Sequence, residues 1–149
     1  MTIRAVVKGV GHYLPERIVP NSEFEKTIDT SDEWIRARTG IERRHFAAEG
    51  QTTSDMAASA AAAALRMAGL DATDIDALVV ATSTADLTFP SAATMVQDKI
   101  GMQTGFAFDV QAVCAGFVFA LANANALLVS GQAKRALVIG AETFSRILD

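Results

Sequence analysis

Three short apolar runs, separated by stretches of helical character, constrain this chain more than any other feature. They lie at Asp76 to Thr82 (with Ala77-Leu78-Val79-Val80-Ala81 at its centre), Gly105 to Val110 and Ala136 to Gly140. Helical patterns at Ser91 to Ile100 and Ala115 to Val129 fill the intervals. A strand that is apolar on consecutive residues is covered on both faces, as strands of parallel sheets are. The alternation predicts an α/β fold, layered α/β/α, with a largely parallel central sheet. The chain has 149 residues, 50% of them hydrophobic, which suffices for one globular core.

The remaining segments read as follows. Ile3 to Val10 has strand character and ends at Gly9, Gly11 and the turn Leu14-Pro15-Glu16. Asn21 is placed to cap a short helix with Phe24 and Ile28 on one face. Thr30-Ser31-Asp32-Glu33-Trp34-Ile35 is a helix start, with a hydroxyl cap and acids in the first turn. That helix is expected to stop at Thr39-Gly40. Arg43 to Ala47 suits a short strand. Thr53 or Ser54 then opens a long helix through Met67, ended by Gly69. Its stretch Ala57 to Ala64 is almost entirely alanine, so this helix can approach a neighbour closely. Glu142 to Asp149 shows no closing element, as if the chain stopped in mid-architecture.

Composition narrows the function. The net charge is -4 and there is no basic run or stripe, which argues against nucleic-acid binding. One cysteine cannot form an internal disulfide, and two histidines make no metal-ligand cluster. No apolar run reaches the roughly 20 residues of a membrane-spanning helix. The opening residues carry no signal-peptide pattern. The expectation is a cytoplasmic protein with no membrane, metal or nucleic-acid partner.

The one cysteine, Cys114, stands between the strand at Phe106 to Val110 and the helix at Ala115 to Val129. Free cysteine is most often a buried small hydrophobe. Three features raise the alternative of a reactive thiol, although position alone leaves the structural cysteine ahead. Cys114 opens a helix, where backbone N–H groups and the helix dipole favour a thiolate. Ala115 and Gly116 leave room for a substrate. No acid lies between Gln111 and Gln132 to oppose a negative charge. A thiolate so placed can attack a thioester. The proton acceptor that such a nucleophile needs is not evident, because His12 and His45 read as surface or turn residues.

Several blocks resemble one family. Val110-Gln111-Ala112-Val113-Cys114-Ala115-Gly116-Phe117 is similar to the nucleophile motif of β-ketoacyl-acyl-carrier-protein synthase III, of the thiolase superfamily. Asp29 to Ile35 with Arg38-Thr39-Gly40-Ile41 resembles that family's nucleotide-contacting segment. Val80-Ala81-Thr82, Phe89-Pro90-Ser91-Ala92-Ala93 and Gly11-His12-Tyr13-Leu14-Pro15 match further blocks in order and spacing. The resemblance runs over all 149 residues.

It implies a thiolase-like layered fold and an initiating condensing enzyme of fatty-acid synthesis. Cys114 would accept an acyl group, typically acetyl, from acyl-CoA, with its own N–H in the oxyanion hole. Trp34 would stack on the adenine of CoA, Arg38 would pair with the nucleotide phosphates, and Thr30 would hydrogen-bond the adenine. Phe89 would line the acyl pocket across a dimer interface. Malonyl-acyl-carrier-protein would then be consumed in a decarboxylating Claisen condensation. The resemblance also implies a homodimer with Phe106 to Val110 near its two-fold axis, and no cofactor beyond the acyl-CoA substrate.

Members of this family have two similar halves, and residues 1–149 resemble the first, N-terminal half. The family's catalytic His and Asn come from the absent C-terminal half, so this half alone is not expected to catalyse condensation. A related condensing enzyme or acyltransferase of secondary metabolism keeps the fold and the nucleophile but changes substrates, and the block from Thr30 to Ile41 favours the CoA-primed initiating branch. A non-catalytic α/β binding module with a structural cysteine remains the reading from another class.

Overall fold

Strand β3 (Ala77–Ala81) is buried at all five positions, which makes it the centre of the larger sheet. Two strands, β4 (Phe106–Val110) and β5 (Ala136–Gly140), flank it in parallel, in the order β4-β3-β5. Val79 stands opposite both Phe108 and Val138. Side chains alternate along β3, as a period of two requires. Leu78 and Val80 face a core built with Ala57, Ala61 and Leu65 of α3 (Thr53–Ala68) and Ala93 and Val96 of α4 (Ala92–Ile100). Val79 and Ala81 face Ala120 of α5 (Gly116–Val129) on the other side. Burying each of Leu78, Val79 and Val80 contributes about 1.5–3 kcal/mol.

The chain passes from β3 outward to β4 and then back across β3 to β5. Crossovers of one hand along such a path put α4 and α5 on opposite faces of the sheet. The result is the α/β/α layering expected from the sequence, with a parallel sheet in the middle.

The computed structural model describes residues 4–148, which divide into two units. The sheet and its helices form one, from residues 4–13 and Thr52–Glu142. The other holds Leu14–Gln51 and the residues from Thr143 onward. Here β1 (Arg17–Pro20) pairs antiparallel with β2 (Arg43–Phe46), joined through α1 (Asn21–Phe24) and α2 (Asp32–Thr39). The rings of Phe24 and Phe46 meet at 6.3 Å, and the Arg44 and Arg17 guanidinium groups lie over them at 4.8 and 5.3 Å.

Several expectations need correction. The strand expected at Ile3 to Val10 is not formed over residues 4–10, and Ile3 lies outside the described residues. A strand needs a partner, and this segment lies against helix α3 instead. Cβ atoms placed on Gly9 and Gly11 would strike the backbone of Ala60, Ala64 and Ala68. The Val10 N–H reaches the Met67 sulfur at 3.3 Å, and Val6 and Val7 are exposed.

Asn21 does not cap α1 but begins it, and its buried side chain ties three elements together. It donates to Asp32 and to the Ile41 carbonyl, both at 2.8 Å, and accepts from Arg44 at 2.5 Å. The cap of α3 is Thr52, not Thr53 or Ser54, because Asp55 answers it in a reciprocal capping box. The expected helix at Ala115 to Val129 starts as a 3-10 turn, Val113–Ala115, before α5 proper. The end of α2 at Gly40 agrees with the sequence. Its φ of 71° is the left-handed geometry that glycine supplies most cheaply.

Candidate active site

The three parallel strands deliver their loops to one edge, the carboxyl end of the sheet, where α/β folds place their ligands. Hydrogen bonds lace this edge together. The Thr82 N–H donates to the Val110 carbonyl at 3.2 Å, and the Ala141 N–H to the Ala81 carbonyl at 3.1 Å. Glu142, just past β5, receives the Ser83 N–H at 2.8 Å and the Thr84 hydroxyl at 2.5 Å. The Thr82 hydroxyl lies 3.4 Å from the same carboxylate.

Cys114 sits at this edge in the turn between β4 and α5, and it is exposed rather than buried. The preceding residue is unusual. Val113 has φ 45°, and a β-branched side chain in the left-handed region is strained. That backbone turn presents Cys114 outward. Behind it, α5 comes close to the sheet. A Cβ on Gly116 would stand 3.3 Å from the Ala81 methyl, a tight contact that glycine avoids.

The turn also orders its donors. Ala115 donates its N–H to the Ala112 carbonyl at 3.0 Å, and Gly116 donates to Val113. The Cys114 N–H has no acceptor among the described residues. An unclaimed N–H on the nucleophile's own residue can receive the oxyanion of a tetrahedral intermediate.

The loop after β3 is pinned at both ends. Asp86 accepts the Ser54 N–H at 2.9 Å and the Ser54 hydroxyl. Burial pushes the Asp86 carboxyl up, but the Ser54 donors, the Thr52 hydroxyl and the Lys99 charge together outweigh it and hold it below the usual carboxylate range. Lys99 reaches the same Ser54 hydroxyl at 2.6 Å and Asp55 at 2.5 Å. At the far end Asp109 of β4 accepts the N–H groups of Ala92 and Ala93 at 2.8 and 2.7 Å, starting α4. Between these anchors Phe89 is 81% exposed, ahead of a cis bond to Pro90.

In the other unit, α2 carries the second group of expected residues. Ser31 caps this helix, accepting the Trp34 N–H at 3.1 Å. The cap is therefore Ser31 and not Thr30, which stands just outside the helix and is half-buried. Trp34 is 54% exposed, and the Arg38 guanidinium lies 4.7 Å from its ring centre. Arg36 is engaged elsewhere, with Asp32 at 2.8 Å and Glu42 at 2.9 Å. Its hydrogen bond and that of Asn21 hold the Asp32 carboxyl below its ordinary range. Arg38 has no carboxylate partner among the described residues, so its N–H donors are open to an anion. The neighbouring arginines are thus distinguished by structure where the sequence could not separate them. His45 holds the Pro15 carbonyl at 2.6 Å through Nδ1, and His12 is exposed.

Residues 108–149, which include Cys114, match the family model of 3-oxoacyl-[acyl-carrier-protein] synthase III. The full chain is 79% identical to a β-ketoacyl-[acyl-carrier-protein] synthase III of Roseobacter denitrificans over 149 residues. Over its whole length the chain is similar to members of this family. It spans about half the length of the curated relatives it matches, 46% in the Roseobacter case.

Solved structures agree. The 3-oxoacyl-[acyl-carrier-protein] synthase III of Aquifex aeolicus superposes with a TM-score of 0.91 at 45% identity, covering 95% of this chain and 46% of that one. The priming β-ketosynthase of the R1128 polyketide pathway gives 0.92 at 36% identity, covering 100% of this chain and 45% of that one. The thiolase-like α/β layering expected from the sequence is therefore the fold of this chain. No helix among the described residues is long and apolar enough to cross a membrane. No cluster of metal-ligating side chains occurs among them either.

Proposed function

We propose that this chain is the nucleophile-bearing half of an initiating β-ketoacyl-acyl-carrier-protein synthase. The observation that carries the reading is Cys114. It is exposed on a strained turn with its own N–H unclaimed, inside a chain 79% identical throughout to a named synthase of this type.

In the first step the Cys114 thiolate attacks the thioester carbonyl of an acyl-CoA, typically acetyl-CoA. The oxyanion that forms is held by the Cys114 N–H, and collapse expels CoA thiolate. In the second step malonyl-acyl-carrier-protein loses CO2, and the resulting enolate attacks the acyl-Cys114 thioester. That forms the carbon–carbon bond and returns the Cys114 thiolate. The resemblance assigns stabilisation of the enolate to a His and an Asn from the other half.

Trp34 and Arg38 anchor the nucleotide end of CoA. The exposed indole offers an apolar platform, and the unpaired guanidinium suits phosphate oxygens. Thr30, not used as a cap, is assigned to the adenine. Phe89 lines the acyl pocket of a homodimer built near β4. The protein acts in the cytoplasm, without metal or bound cofactor.

The structural match to a polyketide priming synthase favours one second reading, an initiating enzyme of secondary metabolism with a different acyl-CoA. The full-length protein should acquire radiolabel from acetyl-CoA, and Cys114→Ala should abolish it. Undiminished labelling of the variant sinks the nucleophile assignment. Labelling by longer acyl-CoA in preference to acetyl-CoA selects the second reading.

A further inference from the structure

We propose that Asp86 and Asp109 are positioning residues that fix where Phe89 stands, and through it the length of acyl chain accepted. This rests on the acyl-transfer reading above and extends it to selectivity. The segment between the two carboxylates, Leu87 to Pro90, is exposed throughout, and it carries two large apolar side chains, Leu87 and Phe89. A loop tip of this kind, left to itself, samples many positions. Here both ends are tied by charge-assisted hydrogen bonds, which are stronger than neutral ones.

The two ties lead to different elements. Asp86 fastens the tip's entry to the first turn of α3, using both carboxylate oxygens on the N–H and hydroxyl of Ser54. Ser54 is itself fully buried and braced by Lys99 at 2.6 Å. Asp109 fastens the tip's exit to β4, taking Ala92 and Ala93 on separate oxygens. Asp109 is also paired in register with Val80 of the central strand. Five residues further along the same strand and turn stands Cys114. The segment that presents Phe89 is therefore fastened to α3 at its entry and to β4 at its exit, and across the dimer it serves the pocket of the partner's site. Loosening these ties moves Phe89 while leaving the hydrogen bonds of the Cys114 turn intact.

The chain supplies its own control. Asp76 makes the same kind of tie, accepting the N–H groups of Lys134 and Arg135 at 2.8 and 2.9 Å. It does so at the opposite, amino-terminal end of the sheet, before β3 and β5. Both bonds run to one oxygen, so Asp76→Asn weakens a charge-assisted tie without touching the loop.

The experiment uses the full-length protein and measures kcat/KM for acetyl-, butyryl- and hexanoyl-CoA, with melting temperatures alongside. Asp109→Asn and Asp86→Asn should lower the preference between adjacent chain lengths by about tenfold, the scale that one or two methylenes command in a fitted pocket. Asp76→Asn should lose some stability and keep the wild-type preference. Ser54→Ala, which deletes only the hydroxyl, is the milder variant should either aspartate change prevent folding, and it should shift selectivity in the same direction. Wild-type selectivity in the loop variants overturns the proposal and leaves the acyl-transfer reading standing. An equal shift in Asp76→Asn overturns it too, since general loosening would then explain the result. A wild-type protein that transfers no acyl group from any of the three overturns the underlying reading first.

Discussion

Gly11→Ala is the sharpest test of how residues 4–13 are held. A Cβ at this position would sit 2.3 Å from the Ala64 nitrogen, 2.5 Å from the Ala60 carbonyl oxygen and 2.8 Å from the Ala63 carbonyl carbon. The shortest of these is about 1 Å below an ordinary van der Waals separation. All three obstacles are helix backbone, so no side chain can rotate to relieve the clash. The alanine surface of α3 is what permits the close approach, and it leaves nothing soft to yield. The segment must lift, and Gly9, with its own contact 2.5 Å from the Ala64 oxygen, must lift with it. Overpacking of this kind costs typically 1–3 kcal/mol, and rigid obstacles put Gly11→Ala near the upper end, at about 2–3 kcal/mol. Urea unfolding of the full-length protein should show the midpoint falling with an unchanged slope. A variant as stable as the parent would mean that this segment is not seated on α3.

Two further predictions concern charge. Lys99 and the Thr52 donors lower the Asp55 pKa from 3.8 to about 2. Because the folded value lies below the unfolded one, the stabilisation is complete above about pH 4 and is lost as pH falls toward 2. The shift corresponds to about 2.4 kcal/mol, but the Asp55 side chain is 43% exposed and screening reduces this to about 1 kcal/mol. Asp55→Asn should therefore be less stable than the parent at pH 7 and equal to it near pH 2 in urea titrations; a difference that ignores pH would refute the account. On α2, Trp34→Ala should weaken CoA binding by about 1–3 kcal/mol by calorimetry. Arg38→Ala should weaken it and flatten its salt dependence. Arg36→Ala should do neither, because Asp32 and Glu42 already occupy that guanidinium. Equal losses from both arginines would remove the distinction.

The sheet and its flanking helices were legible because their signals are local. Ala136 to Gly140 is apolar on successive residues and became β5 with the same bounds. Gly40 and Gly69 ended their helices in left-handed geometry, as glycine at those places predicts. The features around Cys114 were less legible, since they arise between distant residues. Glu142 acts on residues 58 to 60 positions earlier, and Asp109 on a helix start 16 and 17 positions away. Nothing in a valine announces φ 45°, so the strain at Val113 has no sequence signal. The Thr52 cap did have one, a hydroxyl followed three residues later by an acid. Residues 4–10 show the converse: their pattern is that of a strand, but strand formation depends on a partner that no local pattern encodes.

Helix α5 joins these observations. Its buried residues, Gly116, Ala120 and Ala124, recur every fourth position and form one narrow stripe of small residues against the sheet. Phe117, Val118, Phe119 and Leu121 lie outside that stripe and are exposed. A helix with this much apolar surface outside its buried stripe is built to be covered again. Clustered exposed apolar side chains of this kind mark places where another layer packs. In the proposed reading that layer is the other half of the synthase, placed on the face of α5 turned away from the sheet. The residues that complete the chemistry would then arrive beside the end of α5 that carries Cys114. The apolar helix and the exposed thiol thus have one explanation. In that reading the strained turn presents the exposed nucleophile to the region that the covering layer would close, and the small-residue stripe lets α5 lie close enough to the sheet to hold that turn in place.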